Sequence, residues 1–209
     1  MKRLLLTSSG IFVTDGDYQI FDQPREKLRW AYITTAQKGV EDRSYIQRRK
    51  KRMKALKWNY QEIDIDGKNK QELRKLLRDK DVVYLEGGNS FYLLKSIRQS
   101  GFDQLIKELI NQGIVYVGSS AGSYVACPTI EMATWKRQIR PNYGVRNLRA
   151  MNLVPFLIVA HYHPQDKKFL QPYISQAKYP VKALTDQQAI LVKGSKIQLV
   201  GKGKAVKLK

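Results

Sequence analysis

The chain has 209 residues, 43% of them hydrophobic, and its 38 Lys and Arg against 18 Asp and Glu give a formal charge of +20. That length and apolar content predict a single domain over residues 1–209 with one sizeable core, and the lone cysteine, Cys127, excludes an intramolecular disulfide and a cysteine metal cluster. No apolar run approaches the roughly 18 residues of a membrane span, and "MKRLLLTSSGIFV" is too short and interrupted for a signal peptide, so a cytoplasmic protein is expected.

Short apolar, β-branched runs alternate with longer amphipathic ones, as when crossover helices connect parallel strands. Strands are expected over Arg3 to Ser8 ("RLLLTS") and Trp30 to Thr35 ("WAYITT"). A helix is expected next, from Asp42 to Leu56, with Glu41 and Asp42 near its positive end and an imperfect apolar stripe of Tyr45, Ile46, Met53 and Leu56. It carries "RRKKRMKALK", Arg48 to Lys57, the densest basic patch of the chain. A charge of +20 attracts polyanions, so nucleic acid, an anionic surface and an acidic substrate all enter as partner classes. No RNA-binding aromatic signature, helix-turn-helix or finger spacing accompanies the patch. It therefore reads as a solvated helix face, with non-specific nucleic-acid binding as the alternative.

Further strands are expected at Tyr60 to Ile65, Val82 to Leu85, Ile114 to Gly118 and Phe156 to His161. Several are apolar at nearly every position, as strands covered on both faces should be. Helices are expected at Lys70 to Arg78, capped by Asn69 with Glu72 three residues on, and at Ser90 to Ser100 and Asp103 to Asn111. From Cys127 to Met151 periodicity is weak, predicting an irregular excursion near the C-terminal strand ends, where α/β sheets place their sites. The final "QQAILVKGSKIQLVGKGKAVKL" alternates and pivots on Gly194-Ser195, a hairpin signal at a sheet edge.

Three motifs carry chemistry. Gly118-Ser119-Ser120-Ala121-Gly122 fits G-x-S-x-G directly after an expected strand, making Ser120 the candidate nucleophile and the Ala121 N–H a candidate oxyanion donor. "YLEGGNSFYLL" repeats the strand-end geometry, with Gly88 as the candidate second donor and Asn89 able to cap a helix; a capped turn without a ligand is its alternative reading. "IVAHYHPQD" holds the only histidines, His161 and His163, and His161 at the strand end is placed to act as base. With Asp166 the only nearby carboxylate, a metal site at this H-x-H is not expected.

Together "LLLTSSG", "GGNSFYLL", "GSSAGS", "LVPFLIVAHY" and the closing "LTDQQAILVKGSKIQLVG" resemble the peptidase E and cyanophycinase family of serine peptidases. The resemblance implies a class I glutamine-amidotransferase-like fold: an α/β, three-layer, doubly wound, mostly parallel sheet with a C-terminal antiparallel hairpin. It implies Ser120 as nucleophile, His161 as general base and acid, Gly88 and Ala121 as the oxyanion hole, and no cofactor. It also implies an Asp about fifteen residues after the serine, where this chain has Trp135. Glu131 is the only carboxylate between Ser120 and His161 and so the only in-order candidate for the third member. The Asp-specific members carry an arginine after the histidine; "HPQDKKFLQPY" replaces it here, leaving Lys168 and Asn89 as candidate substrate-binding groups. The expectation is a serine hydrolase acting on small peptides or amides, with acidic substrates suited by the charge. The alternatives are a catalytically weak member binding anionic partners through the basic helix, and an acyl- or amidotransferase.

Overall fold

Residues that alternate between the two faces of a strand build this molecule. The computed structural model describes residues 1–135 and 141–208. Its strands are β1 (Arg3–Thr7), β2 (Arg29–Ile33), β3 (Asn59–Ile63), β4 (Val82–Leu85), β5 (Val115–Ser119), β6 (Leu157–Val159), β7 (Val181–Ala183), β8 (Gln188–Lys193) and β9 (Lys196–Gly201). Among the described residues, seven strands form a sheet in the order β3-β2-β4-β5-β1-β8-β9. Strands β1 to β5 pair in parallel, whereas β8 runs antiparallel to β1 and β9 antiparallel to β8. Leu4, Leu6, Ile33, Val83 and Leu85 enter one core, and their neighbours Leu5, Trp30, Tyr32, Val82 and Tyr84 enter the other. Both faces are covered, which is why the central strands read as continuous apolar runs.

The helices are α1 (Gly10–Asp15), α2 (Ser44–Ala55), α3 (Lys70–Leu77), α4 (Ser90–Ser100), α5 (Phe102–Asn111), α6 (Ala121–Tyr124) and α7 (Lys167–Gln176). Residues of α1 and α2 pack into one core, while α3 to α6 pack into the other. This is the α/β doubly wound architecture expected, with the hairpin turning at Gly194-Ser195 and β9 on the sheet edge. The Asn69 capping box closes as predicted: Asn69 Oδ1 accepts from the Gln71 and Glu72 N–H groups, and Glu72 accepts from the Asn69 N–H.

One strand sits elsewhere than the pattern suggested. The apolar run at Phe156 to His161 forms β6, which pairs with β7 in a separate two-stranded parallel sheet. The side of β1 away from β5 is taken by the returning strand β8. Helix α7 is unexpected because Pro172 lies inside it, and α1 because only six residues form it, opened by Ser9 Oγ accepting from the Ile11 N–H. The excursion after Cys127 is irregular, with an antiparallel bridge between Thr129 and Arg149; its 136–140 portion lies outside the described residues.

Candidate active site

The loop after β5 turns so sharply that Ser120 takes φ 47° and ψ −106°, a conformation costing about 1–3 kcal/mol for a residue with a side chain. The surroundings hold it there. The Ser120 N–H donates to the Thr7 carbonyl at 3.0 Å, and the Tyr124 N–H donates to the Ser120 carbonyl at 2.9 Å. Two glycines make the turn possible: a Cβ on Gly122 would lie 2.1 Å from the Leu85 carbonyl oxygen, and one on Gly118 2.6 Å from the Gly122 carbonyl carbon. Ser123 is occupied structurally, its Oγ lying 2.8 Å from the carbonyls of Thr7 and Gly118.

His161 follows β6 with φ 57°, and its N–H donates to Ser8 Oγ at 2.6 Å. The imidazole thereby reaches the elbow: Nε2 lies 3.1 Å from Ser120 Oγ. On its other side Nδ1 lies 2.6 Å from Asp186 Oδ1, which also accepts from Ser8 Oγ at 3.0 Å. The hydrogen bond from His161 holds the Asp186 carboxyl below the usual carboxylate range, with a further contribution from Ser8, against the opposing effect of burial. An ionised Asp186 can only accept, so Nδ1 carries the proton and Nε2 presents its lone pair to the serine hydroxyl.

Glu131, the in-order candidate, is not the carboxylate hydrogen-bonded to His161. The carboxylate on His161 comes from Asp186, in the turn between β7 and β8, after the histidine in chain order. Glu131 sits in a short 3-10 turn, where its buried Oε1 has no hydrogen-bond partner among the described residues and burial raises its pKa. Trp135 has become core, 6% exposed and stacked on Tyr173 at 5.9 Å between ring centroids. A carboxylate absent from the expected sequence interval therefore lies beside His161 in space. A signal did exist: "LTDQQAIL" places an aspartate two residues before a strand that pairs with β1, whose end adjoins the elbow.

The glycine loop after β4 lies against the serine, for a Cβ on Gly87 would stand 3.3 Å from Ser120 Cβ. Gly88 has φ 147°, and any side chain there would strike the Ala36 carbonyl oxygen at 2.4 Å. Ala121 opens α6, where the first amides of a helix lack intrahelical partners. Asn89 has its polar atoms engaged by the scaffold. It is fully buried, its Oδ1 accepting from the Phe91 and Tyr92 N–H groups and its Nδ2 donating to the Pro141 carbonyl at 3.0 Å. Lys168 is exposed on α7 in a shallow depression shared with Pro164, Lys167 and Gln171, a lining that contains none of the Ser120, His161 and Asp186 side chains. His163 is also exposed, its N–H donating to Asp166 Oδ2 at 2.9 Å.

The basic helix is more than a solvated face. Arg48, Lys51, Arg52 and Lys54 of α2 are exposed, but Arg49 is 8% exposed and its Nε lies 3.4 Å from the buried Glu86 carboxylate. The charge count of the run hides this inward turn.

Comparison with known proteins gives a consistent result. The sequence profile of peptidase family S51 matches residues 4–200. An uncharacterized peptidase of Listeria monocytogenes serovar 1/2a is 30% identical over 200 residues, covering 94% of this chain and 97% of the relative. A peptidase E of Shewanella denitrificans is 25% identical over 183 residues, covering 83% of this chain and 74% of that protein. A crystal structure of a candidate peptidase E from Listeria monocytogenes EGD-e superposes with a TM-score of 0.84 at 29% identity, covering 97% of this chain and 100% of that one.

Proposed function

The chain belongs to peptidase family S51 and is a serine-type peptidase; from that premise we propose that it cleaves small peptides through an acyl-enzyme on Ser120, with His161 and Asp186 as its partners. The observation that carries this reading is the continuous chain of contacts from Ser120 Oγ to His161 Nε2 at 3.1 Å and from Nδ1 to Asp186 at 2.6 Å. Ser120 Oγ attacks the scissile carbonyl while Nε2 takes its proton. Asp186 keeps the imidazole in the accepting tautomer and stabilises the imidazolium that forms. The Gly88 and Ala121 N–H groups receive the oxyanion, His161 returns the proton to the leaving amine, and water attacking by the same route releases the acid.

The substrate is proposed to be a short, acidic peptide, because a +20 protein concentrates anionic ligands at low ionic strength. A cytoplasmic setting is proposed on the buried, unpaired Cys127 and on the lack, among the described residues, of a helix long and apolar enough to cross a membrane. A fluorophosphonate probe should label the wild type and not Ser120→Ala, and hydrolysis of dipeptides should disappear with the label. Labelling that survives in Ser120→Ala sinks the assignment. Rates on acidic and neutral dipeptides that respond equally to added salt would remove the preference for acidic substrates.

A further inference from the structure

A buried charged cluster lies behind the two loops that flank Ser120. Glu86, which follows β4, is 2% exposed, and its two oxygens have different partners. Oε2 accepts from Tyr32 Oη at 2.9 Å and Tyr84 Oη at 2.8 Å, with Arg49 Nε at 3.4 Å. Oε1 accepts from the Gly87 N–H at 2.9 Å and from Ser119 Oγ at 2.5 Å. Burial, and then the charge of Glu86, push the Tyr32 and Tyr84 phenols well up, so both remain protonated donors. The cluster is packed without slack: a Cβ on Gly10 would lie 2.6 Å from Arg49 Nη2 and 2.8 Å from Glu86 Oε1.

An ionic group in the interior carries a desolvation penalty that a well-packed apolar side chain would avoid, so its arrangement calls for a reason beyond stability. The partners of Oε1 suggest one. Gly87 immediately precedes Gly88, and Ser119 immediately precedes Ser120, yet the two loops leave different strands, β4 and β5. A single carboxylate oxygen therefore spans the candidate oxyanion loop and the nucleophile elbow. Helix α2 braces the same loop from outside, with Tyr45 Oη donating to the Gly87 carbonyl at 2.9 Å.

We propose that Glu86 is a positioning residue: through Oε1 it locks the Gly87-Gly88 loop to the Ser119-Ser120 elbow, setting the oxyanion donor against the nucleophile, while Arg49 of the basic helix balances its charge. The proposal rests on Ser120 being the nucleophile. Misplacing a reacting group by about 1 Å can lower turnover by roughly 100-fold, so a tie of this kind acts on kcat rather than on substrate binding.

The test compares Ser119→Ala, Ser119→Thr and Glu86→Gln in the full chain, by dipeptide kinetics, fluorophosphonate labelling rate and backbone hydrogen exchange. Removing Glu86 strands a buried cation and can unfold the chain, so the two Ser119 variants, which leave the Arg49–Glu86 pair intact, decide the matter. Ser119→Ala should lower kcat and the labelling rate roughly 10- to 100-fold with KM within about twofold, and Ser119→Thr should recover most of the loss. Exchange in Ser119→Ala should accelerate together at residues 86–88 and 119–121, while α5 stays protected. Unchanged exchange at Gly87 and Gly88 overturns the proposal whatever the labelling rate does. If the loops loosen together but wild-type Ser120 never reacts with the probe, the tie stands and the hydrolase reading falls instead.

Discussion

Asp186 and Glu131 are two carboxylates whose surroundings push them in opposite directions, and this separates their roles experimentally. Replacing Asp186 with Asn lets the side-chain amide donate to Nδ1, which leaves Nε2 protonated towards Ser120 and unable to accept its proton. Turnover should fall about 10⁴-fold with the fold intact, as when a triad histidine is held in the wrong tautomer. Glu131→Gln should leave turnover at the wild-type level. Its effect on stability has a definite sign. Burial raises the folded-state pKa of Glu131, so the folded chain binds that proton more readily than the unfolded chain, and stability from this group rises as pH falls through the folded value. The Gln variant should therefore match or exceed wild type in urea midpoint at pH 8 and lose that advantage towards pH 4. A kcat collapse in Glu131→Gln, with Asp186→Asn active, would reverse the two assignments. The pairing of Ser120 with His161 was legible in the sequence because each lies in a local motif at a strand end. Asp186 was not, because its nearness to His161 depends on how β8 returns beside β1, and a search confined to the interval between serine and histidine cannot reach it.

Local chemistry sets the elements, and competition for sheet edges sets where they go. The apolar runs of β1 to β5, the Asn69 capping box and the Gly194-Ser195 hairpin could all be read from short windows. The position of β6 could not, since its parallel pairing with β7 and the antiparallel pairing of β8 with β1 are both set by long-range contacts. Asn89 shows how a residue in a site motif can be engaged by the scaffold. It caps α4 and ties that helix to the segment at Pro141. Asn89→Ala removes both contacts, and loss of the cap alone should cost about 0.5–2 kcal/mol, measured as a lower urea midpoint. A direct substrate ligand would instead show a raised KM with unchanged stability, and that result would return Asn89 to the binding site.

At the scale of the molecule the charge count was legible, but not which charges are paired. Several carboxylates lie against cations or amide and hydroxyl donors: Asp81 against Arg29, Asp64 and Asp66 against Lys38, Glu108 against Lys70 and Arg74. Hydrogen bonds and cationic neighbours hold each of these carboxyls below its ordinary value, although burial opposes them and is the largest single influence on Asp64. A carboxylate whose folded pKa is depressed contributes stability that is fully present above its unfolded value of about 4 and is lost as pH falls through the folded value. These pairs should therefore support the fold evenly from about pH 5 to 8. Below about pH 4 their protonation both removes the pairs and raises a net charge that already stands at +20. Salt separates the two effects. The repulsion acts over long distances and is screened beyond about 10 Å at 0.1 M, whereas contact pairs are screened less. Raising NaCl from about 10 to 150 mM should therefore raise Tm at pH 7, and raise it more at pH 4, where the repulsion is larger. A Tm that falls with salt at both values would mean that the paired carboxylates, not the excess cations, dominate the electrostatics of this fold.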